Sequence, residues 1–239
     1  MNFKKVAGFV GLVAGSVVAL STAPAQAFNF ASGNLSGCTT GGTTCTTNDG
    51  FTIQANGGTL EAKTVNGVTG VGVGAQSVIA EINAGESLDL LLPGGSGILK
   101  SLDLGFMYQP PVFSDEVFER ATVIADGLTG FLTVLSDTTA RWEVASLGIN
   151  QILTAVSPST PNGGGLYSIL NPFANTVVSS VRLQPYVYEN VAPDFRNSDF
   201  SLMGAQAEQA VPEPATLAGL GIVAGLLAAS RRRKANAAS

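Results

Sequence analysis

The sequence contains no histidine at all. That absence excludes a serine–histidine–aspartate triad, imidazole metal ligands and a histidine pH switch. Charge is scarce as well. Lys, Arg, Asp and Glu make up 12% of the 239 residues, roughly half the usual share. Cysteine is limited to two residues, too few for a thiolate zinc site without histidine. No window between the two ends carries a convincing amphipathic helix. What the chain has instead is glycine, 29 residues of it, threonine-rich loops and 45% apolar residues. That composition points to a turn-rich, all-β protein of one to two domains.

The net charge of −5 is unevenly spread. Lys4 and Lys5 lie at the start, and Arg231, Arg232, Arg233 and Lys234 at the end. Between Phe28 and Val211 there are 6 basic and 16 acidic residues, a balance of −10. An acidic domain repels phosphate backbones, so no nucleic acid is expected as a partner.

Both ends read as targeting segments. Met1-Asn-Phe-Lys-Lys is followed by an uncharged run from Val6 to Leu20 and then by Ala25-Gln26-Ala27. A positive start, an apolar stretch and a small-residue cleavage site make a signal peptide over residues 1–27. The run of 15 residues is short of the roughly 20 that a membrane span requires. Ala25 and Ala27 would direct signal peptidase to leave Phe28 as the new N-terminus. At the other end, Val211-Pro212-Glu213-Pro214 precedes an uncharged, mostly apolar stretch from Ala215 to Ser230 and then the basic cluster. At about 1.5 Å per residue this stretch is a membrane helix of about 24 Å, against a hydrocarbon core of roughly 30 Å. The basic cluster stays inside and leaves the central domain outside. Gly221 and Gly225 form a G-x-x-x-G pair, but small residues in a short, weakly anchored segment are the simpler account.

Pro212, Glu213 and Pro214, the short apolar helix and the stop formed by Arg231 to Lys234 together resemble the PEP-CTERM sorting signal of Gram-negative bacteria. The same tail is also labelled an ice-binding protein C-terminal domain. The resemblance covers residues 211–239 and implies recognition by an exosortase, a membrane protease of transpeptidase type. Such an enzyme would cut near the motif, releasing or re-attaching the domain at the cell surface. Before processing, the chain would sit in the inner membrane. The resemblance also implies association with extracellular polysaccharide, biofilm or floc.

The segment 28–210 shows recurrent period-2 alternation. Leu102, Leu104, Phe106 and Tyr108 share one parity; so do Ala140, Trp142 and Val144, and Val177, Val181 and Leu183. Shorter candidates are Phe51–Ala55, Val78–Ile82, Ser87–Leu92, Ala121–Ala125 and Phe131–Leu135. Turn signals separate them at Asn56-Gly57-Gly58, Pro93-Gly94-Gly95, Asp126-Gly127 and Pro161 through Gly165. About ten short strands at this spacing predict a β-sandwich or jelly roll. Two stretches are similar to the β-sandwich ectodomains found upstream of such tails: Thr69 through Leu88, and Asn171-Pro172-Phe173 with Asp199-Phe200-Ser201-Leu202. Cys38 and Cys45, exported and seven residues apart, are expected to form a disulfide worth about 2–3 kcal/mol in the chain-entropy picture.

Little in this domain suggests catalysis. Ser96 in Pro93-Gly-Gly-Ser-Gly97 fails the nucleophile-elbow pattern because residue 98 is isoleucine. Gly70-Val-Gly-Val-Gly74 departs from the dinucleotide fingerprint at Ala75 and Ser77, and glycine for a bulge or tight turn accounts for it better. A two-carboxylate glycosidase would draw on Glu81 and Glu86, or on Asp115, Glu116 and Glu119, whose spacing in sequence says nothing of a cleft. No cofactor is expected: calcium would suit the oxygens of Asp115 and Glu116 or of Asp194, Asn197 and Asp199, but neither loop is an EF-hand and solvated acidic loops are the simpler account. The threonine pairs at 39–40, 43–44 and 46–47 lack an extended ice-binding repeat and read as a Thr/Gly linker. For sugars the candidates are Trp142, Tyr108, Tyr186 and Tyr188, with Trp142 expected in the core and the last two exposed. The reading is a non-enzymatic exported surface or matrix protein, with a carbohydrate-binding module as the alternative.

Overall fold

The computed structural model describes residues 25–74, 80–188 and 198–209. The signal segment through residue 24, the sorting tail from 210, and Asp194 and Asn197 lie outside them. Two antiparallel sheets pack on one apolar core, making an all-β sandwich. Among the described residues there is no α-helix, only three one-turn 3-10 segments.

The first sheet contains β1 (Gln26–Asn29), β4 (Thr59–Val65), β5 (Val68–Gly74), β7 (Gly97–Gly105), β12 (Tyr167–Leu170), β13 (Val177–Val178) and β15 (Ser201–Gln209). Its order is β12-β7-β15-β5-β4, with β1 also on β15 and β13 on β7. The second sheet runs β11-β10-β9-β8-β14-β6-β3-β2. Its strands are β2 (Thr44–Thr46), β3 (Thr52–Asn56), β6 (Ser87–Leu91), β8 (Arg120–Ala125), β9 (Leu128–Ser136), β10 (Thr139–Val144), β11 (Ile149–Thr154) and β14 (Ser180–Pro185).

Local chemistry explains the hairpins. Asp126-Gly127 joins β8 to β9 as a two-residue loop with φ of +44° and +87°. Asn66-Gly67 does the same between β4 and β5, with φ of +51° and +79°. Positive φ at both central residues is the I′ turn whose twist matches paired strands, and Asn-Gly and Asp-Gly are its preferred sequences. Along β8 the inward residues Ala121, Val123 and Ala125 are fully buried and alternate with Arg120 and Ile124, which are partly exposed. Period-2 patterning thus gives the second sheet one dry face and one outer face.

Trp142 shows how tightly the core closes. Its indole is fully buried, its Nε1 donates to the Pro172 carbonyl at 3.0 Å, and it meets the Phe173 ring edge-on at 5.9 Å. Directly beneath it lies Gly130 of β9, where an added Cβ would overlap the indole ring. At the opposite end Phe28 meets Phe30 at a tilt and Phe51 edge-on, with centroids 4.8 and 5.0 Å apart.

Several expectations need correcting. The alternating run through Tyr108 stops being a strand at Gly105, because Phe106 turns to a φ of +59°. Gly70, Gly72 and Gly74 form no turn; they are a strand, β5, covered at contact distance by Met203, the Ala80 carbonyl and Glu61. The Thr/Gly segment is no linker either. It holds β2, exchanges hydrogen bonds with Leu60 through Gly41 and Gly42, and closes on itself through the Cys38–Cys45 disulfide. Of the candidate at 78–82, residues 78 and 79 lie outside the described set, and Glu81 and Ile82 make only isolated bridges. Seven strands, β1, β2, β4, β5, β11, β12 and β15, were not expected; most are short, glycine-rich or polar.

Gly130→Ala is expected to destabilise the domain by about 1–3 kcal/mol through overpacking against Trp142. A lowered urea midpoint with an unchanged slope would register it.

Candidate functional site on the outer face of the eight-stranded sheet

Strand register places three rows of side chains across the outer face of the second sheet. One row runs Ile152, Arg141, Thr133, Arg120 and is continued by Tyr186, whose N–H donates to the Arg120 carbonyl at 2.9 Å. The next runs Asn150, Glu143, Phe131, Thr122, Gln184. A third runs Ile124, Arg182, Asp89, Gln54, Thr44. Partners across an antiparallel ladder share a face, so each row is contiguous.

The third row holds a groove of about 360 Å³, lined by Gln54, Asp89, Leu91, Ile124, Asp126 and Arg182, with Ser180 beside them. Arg182 donates to both Asp89 oxygens at 2.7 and 2.8 Å, and Asn56 Nδ2 donates to Asp89 at 3.0 Å. These bonds hold the Asp89 carboxyl below its ordinary range, with the Arg182 bond the largest cause. Asp126 accepts from the Ser179 backbone N–H at 2.7 Å and from its hydroxyl at 2.9 Å. The charged side chains of the groove are therefore already oriented, beside the apolar Leu91 and Ile124.

At the other end of β8 sits an aromatic cluster. The Arg120 guanidinium lies 4.1 Å from the Phe131 ring centre and 4.3 Å from that of Tyr186, a doubly held cation. Tyr186 meets Phe131 and Tyr188 edge-on at 5.9 and 4.9 Å. The Tyr188 hydroxyl donates to the Phe118 carbonyl at 2.7 Å. Tyr186 and Tyr188 are thus brought together on this face, half-buried rather than freely exposed. Arg120, Arg141 and Phe131 were not singled out from sequence. Parity alone places them outward, but only the strand order makes them neighbours.

Inside the fold, acids converge. Lys63 of β4 pairs with Glu81 at 2.7 Å. Asp115 and Glu119 arrive from the loop after β7, and Asp199 from the segment before β15; all three are buried. Glu119 accepts from the Tyr108 N–H at 2.7 Å and returns its own N–H to the Tyr108 carbonyl at 3.2 Å, bracing that loop. Burial raises the Asp115 carboxyl to about 7, helped by the charge of Glu81 and opposed by Lys63. Burial likewise holds Glu119 well above the carboxylate range, with Asp199, Asp115 and Glu81 adding to it. Asp199 is raised too, chiefly by burial, while its hydrogen bond to Glu119 works the other way.

The remaining candidates fall elsewhere. Glu86 accepts from the Asn83 N–H at 2.9 Å and closes a local turn. Glu116 is exposed, whereas Tyr108 is buried against Phe113 with a ring separation of 4.8 Å. Among the described residues no three His, Cys, Asp or Glu side chains converge where a metal ion could sit. Ala25 and Ala27 are exposed at the start of β1, where Ala27 pairs with Gln206 and the next residue, Phe28, is buried. The motif Pro212, Glu213 and Pro214 and the stop Arg231 to Lys234 lie outside the described residues.

β15 ends at Gln209, and residues 210–234 match the PEP-CTERM protein-sorting motif. The chain carries a PEP-CTERM sorting signal. That signal implies an exported, membrane-passing protein processed by an exosortase. Neither a curated protein nor a solved structure matches the chain.

The buried acids set a pH dependence. A carboxyl whose folded value lies above its unfolded one binds more protons folded, so stability falls as pH rises through that window. For Asp115 the window opens near its ordinary value of 3.8 and closes at about 7; Glu119 and Asp199 act in the same direction. Asp89, held low, contributes a change only on the acid side of its ordinary value. The melting temperature is therefore expected to drop between about pH 4 and pH 7, and Asp115→Asn to flatten that slope.

Proposed function

We propose that this chain is a non-enzymatic surface or extracellular-matrix protein delivered by exosortase sorting. The match of residues 210–234 to the sorting motif carries the reading. Signal peptidase would act after Ala27, leaving Phe28, Asn29 and Phe30 to complete the first sheet. The apolar segment 215–230 would hold the precursor in the inner membrane until the exosortase cuts near Pro212–Pro214. The domain then reaches the cell surface or the medium, where it associates with extracellular polysaccharide.

A second reading, a carbohydrate-binding module with a specific glycan, is favoured by the outer face of the eight-stranded sheet. Its groove offers two carboxylates, Asp89 and Asp126, and the Arg182 guanidinium already fixed in place. Tyr186 and Tyr188 border the same sheet face and present ring surface with phenol oxygens. Few precisely placed polar groups beside aromatic surface are what a small-ligand site needs.

Intact mass of the protein from surface and medium fractions of its host tests the first reading. A species beginning at Phe28 and ending near Pro214 is expected. A species that has lost only residues 1–27 would make the tail a permanent anchor and overturn the processing scheme.

A further inference from the structure

The arginines of this acidic domain are segregated. Arg120, Arg141 and Arg182, the three among the described residues, all lie on the outer face of the eight-stranded sheet. The two lysines of the domain are already neutralised, Lys63 by Glu81 at 2.7 Å and Lys100 by Glu208 at 3.1 Å. Arg182 is neutralised by Asp89 at 2.7 Å. Among the described residues Arg120 and Arg141 have no such carboxylate.

Arg120 is the more telling of the two. Phe131 and Tyr186 fix its guanidinium, yet its Nε is buried with no hydrogen-bond acceptor. The Nε is closed to solvent, which leaves the two terminal nitrogens of the fork as the donors an outside acceptor would meet. Arg141 stands two strands away in the same row, with Thr133 between them. At roughly 4.8 Å per strand the two arginine Cα atoms are about 10 Å apart on one face. Two guanidinium forks flanking a hydroxyl match a carboxylate beside sugar hydroxyls, because the fork binds both carboxylate oxygens at once. The ring edges of Phe131 and Tyr186 supply apolar surface next to it.

We propose that Arg120 and Arg141, with Thr133 between them, form the recognition point for a carboxylate-bearing sugar unit of an extracellular polyuronate. The inference rests on the reading that this protein meets extracellular polysaccharide. The balance of −10 between Phe28 and Val211 disfavours denser polyanions. Duplex DNA carries a charge about every 1.7 Å, so much of it would face the acidic remainder of the domain. A polyuronate carries one charge per sugar. At physiological salt, fields reach only about 8 Å, which leaves the two local arginines to decide the contact.

The test is calorimetric titration of the mature protein from its host with polygalacturonate, dextran and poly-aspartate, at physiological salt. Polygalacturonate is expected to bind, with dextran and poly-aspartate at least tenfold weaker. Arg141→Gln should weaken polygalacturonate at least tenfold, with Arg141→Lys intermediate. Lys100→Gln, which removes a positive charge from the other sheet, should change it less than twofold. Because Arg120 also packs against two rings, Arg141 carries the decisive variant, with unchanged near-UV circular dichroism as the fold control. Equal binding of dextran, or indifference to Arg141→Gln, overturns the inference while leaving the polysaccharide reading standing. Equal binding of poly-aspartate overturns the sugar and leaves only a carboxylate. Binding of none of the three, together with no binding of the host's own extracellular polysaccharide, overturns both.

Discussion

The ladder between β7 and β15 is the constraint on which the first sheet depends. β15 pairs with β7 along nearly its whole length, while its other edge is shared by β5 at Leu202 and by β1 from Gly204 to Ala207. Three segments far apart in sequence therefore close on one strand. Small residues make this feasible: an added Cβ at Gly204 would strike the Phe28 carbonyl, and one at Gly105 the Met203 side chain. The same strand carries Leu202, Ala205 and Ala207 into the core and leads, after Gln209, straight into the sorting motif. The exported domain and its address thus meet at an interior strand of a sheet.

Charge is distributed by the two sheets in opposite ways. The acids Glu81, Asp115, Glu119 and Asp199 are gathered inside, around one lysine, where desolvation holds them toward the protonated form. The arginines lie outside, on the face whose strands present their odd parity to solvent or their even parity according to register. A buried carboxyl cluster near one end of the sandwich stabilises a loop and costs stability when ionised. The arginine row is half-exposed, and within it only the Arg120 Nε is buried without an acceptor.

The groove around Arg182 and the arginine row share one sheet face, about two residue pairs apart along β8. Arg120, Thr122 and Ile124 all point outward there, each about 6.6 Å from the next. A chain of sugars lying along β8 would touch both. Strands position Arg120, Thr133, Arg141, Asp89 and Arg182, with Asp126 in a two-residue turn and Tyr186 just past β14, and that rigidity lowers the ordering cost of binding.

Much of this was legible in the residues themselves. The tail was readable because its signal is local: Pro-Glu-Pro, an apolar stretch and a basic cluster in order. Strand parity at Ala121–Ala125 and Ala140–Val144, and the Asp126-Gly127 turn, were readable for the same reason, since side-chain period and turn chemistry act over a few residues. Trp142 went to the core as its parity required. Its neighbours did not follow from parity: Gly130 and Pro172 lie 12 and 30 residues away. The glycines of β5 looked like turn formers because glycine carries no pattern of its own; only Met203, Ala80 and Glu61, folded over them, explain why no Cβ is tolerated there. Glu119 beside Asp199, and Arg120 beside Thr133, Phe131 and Tyr186, exist only once strand order is chosen. Sequence by itself determined the strands' inward faces, several turns and the sorting address, all short-range properties of the chain. Tertiary structure alone decided which outward faces became neighbours, because cross-strand contact depends on pairing between segments that no local pattern specifies.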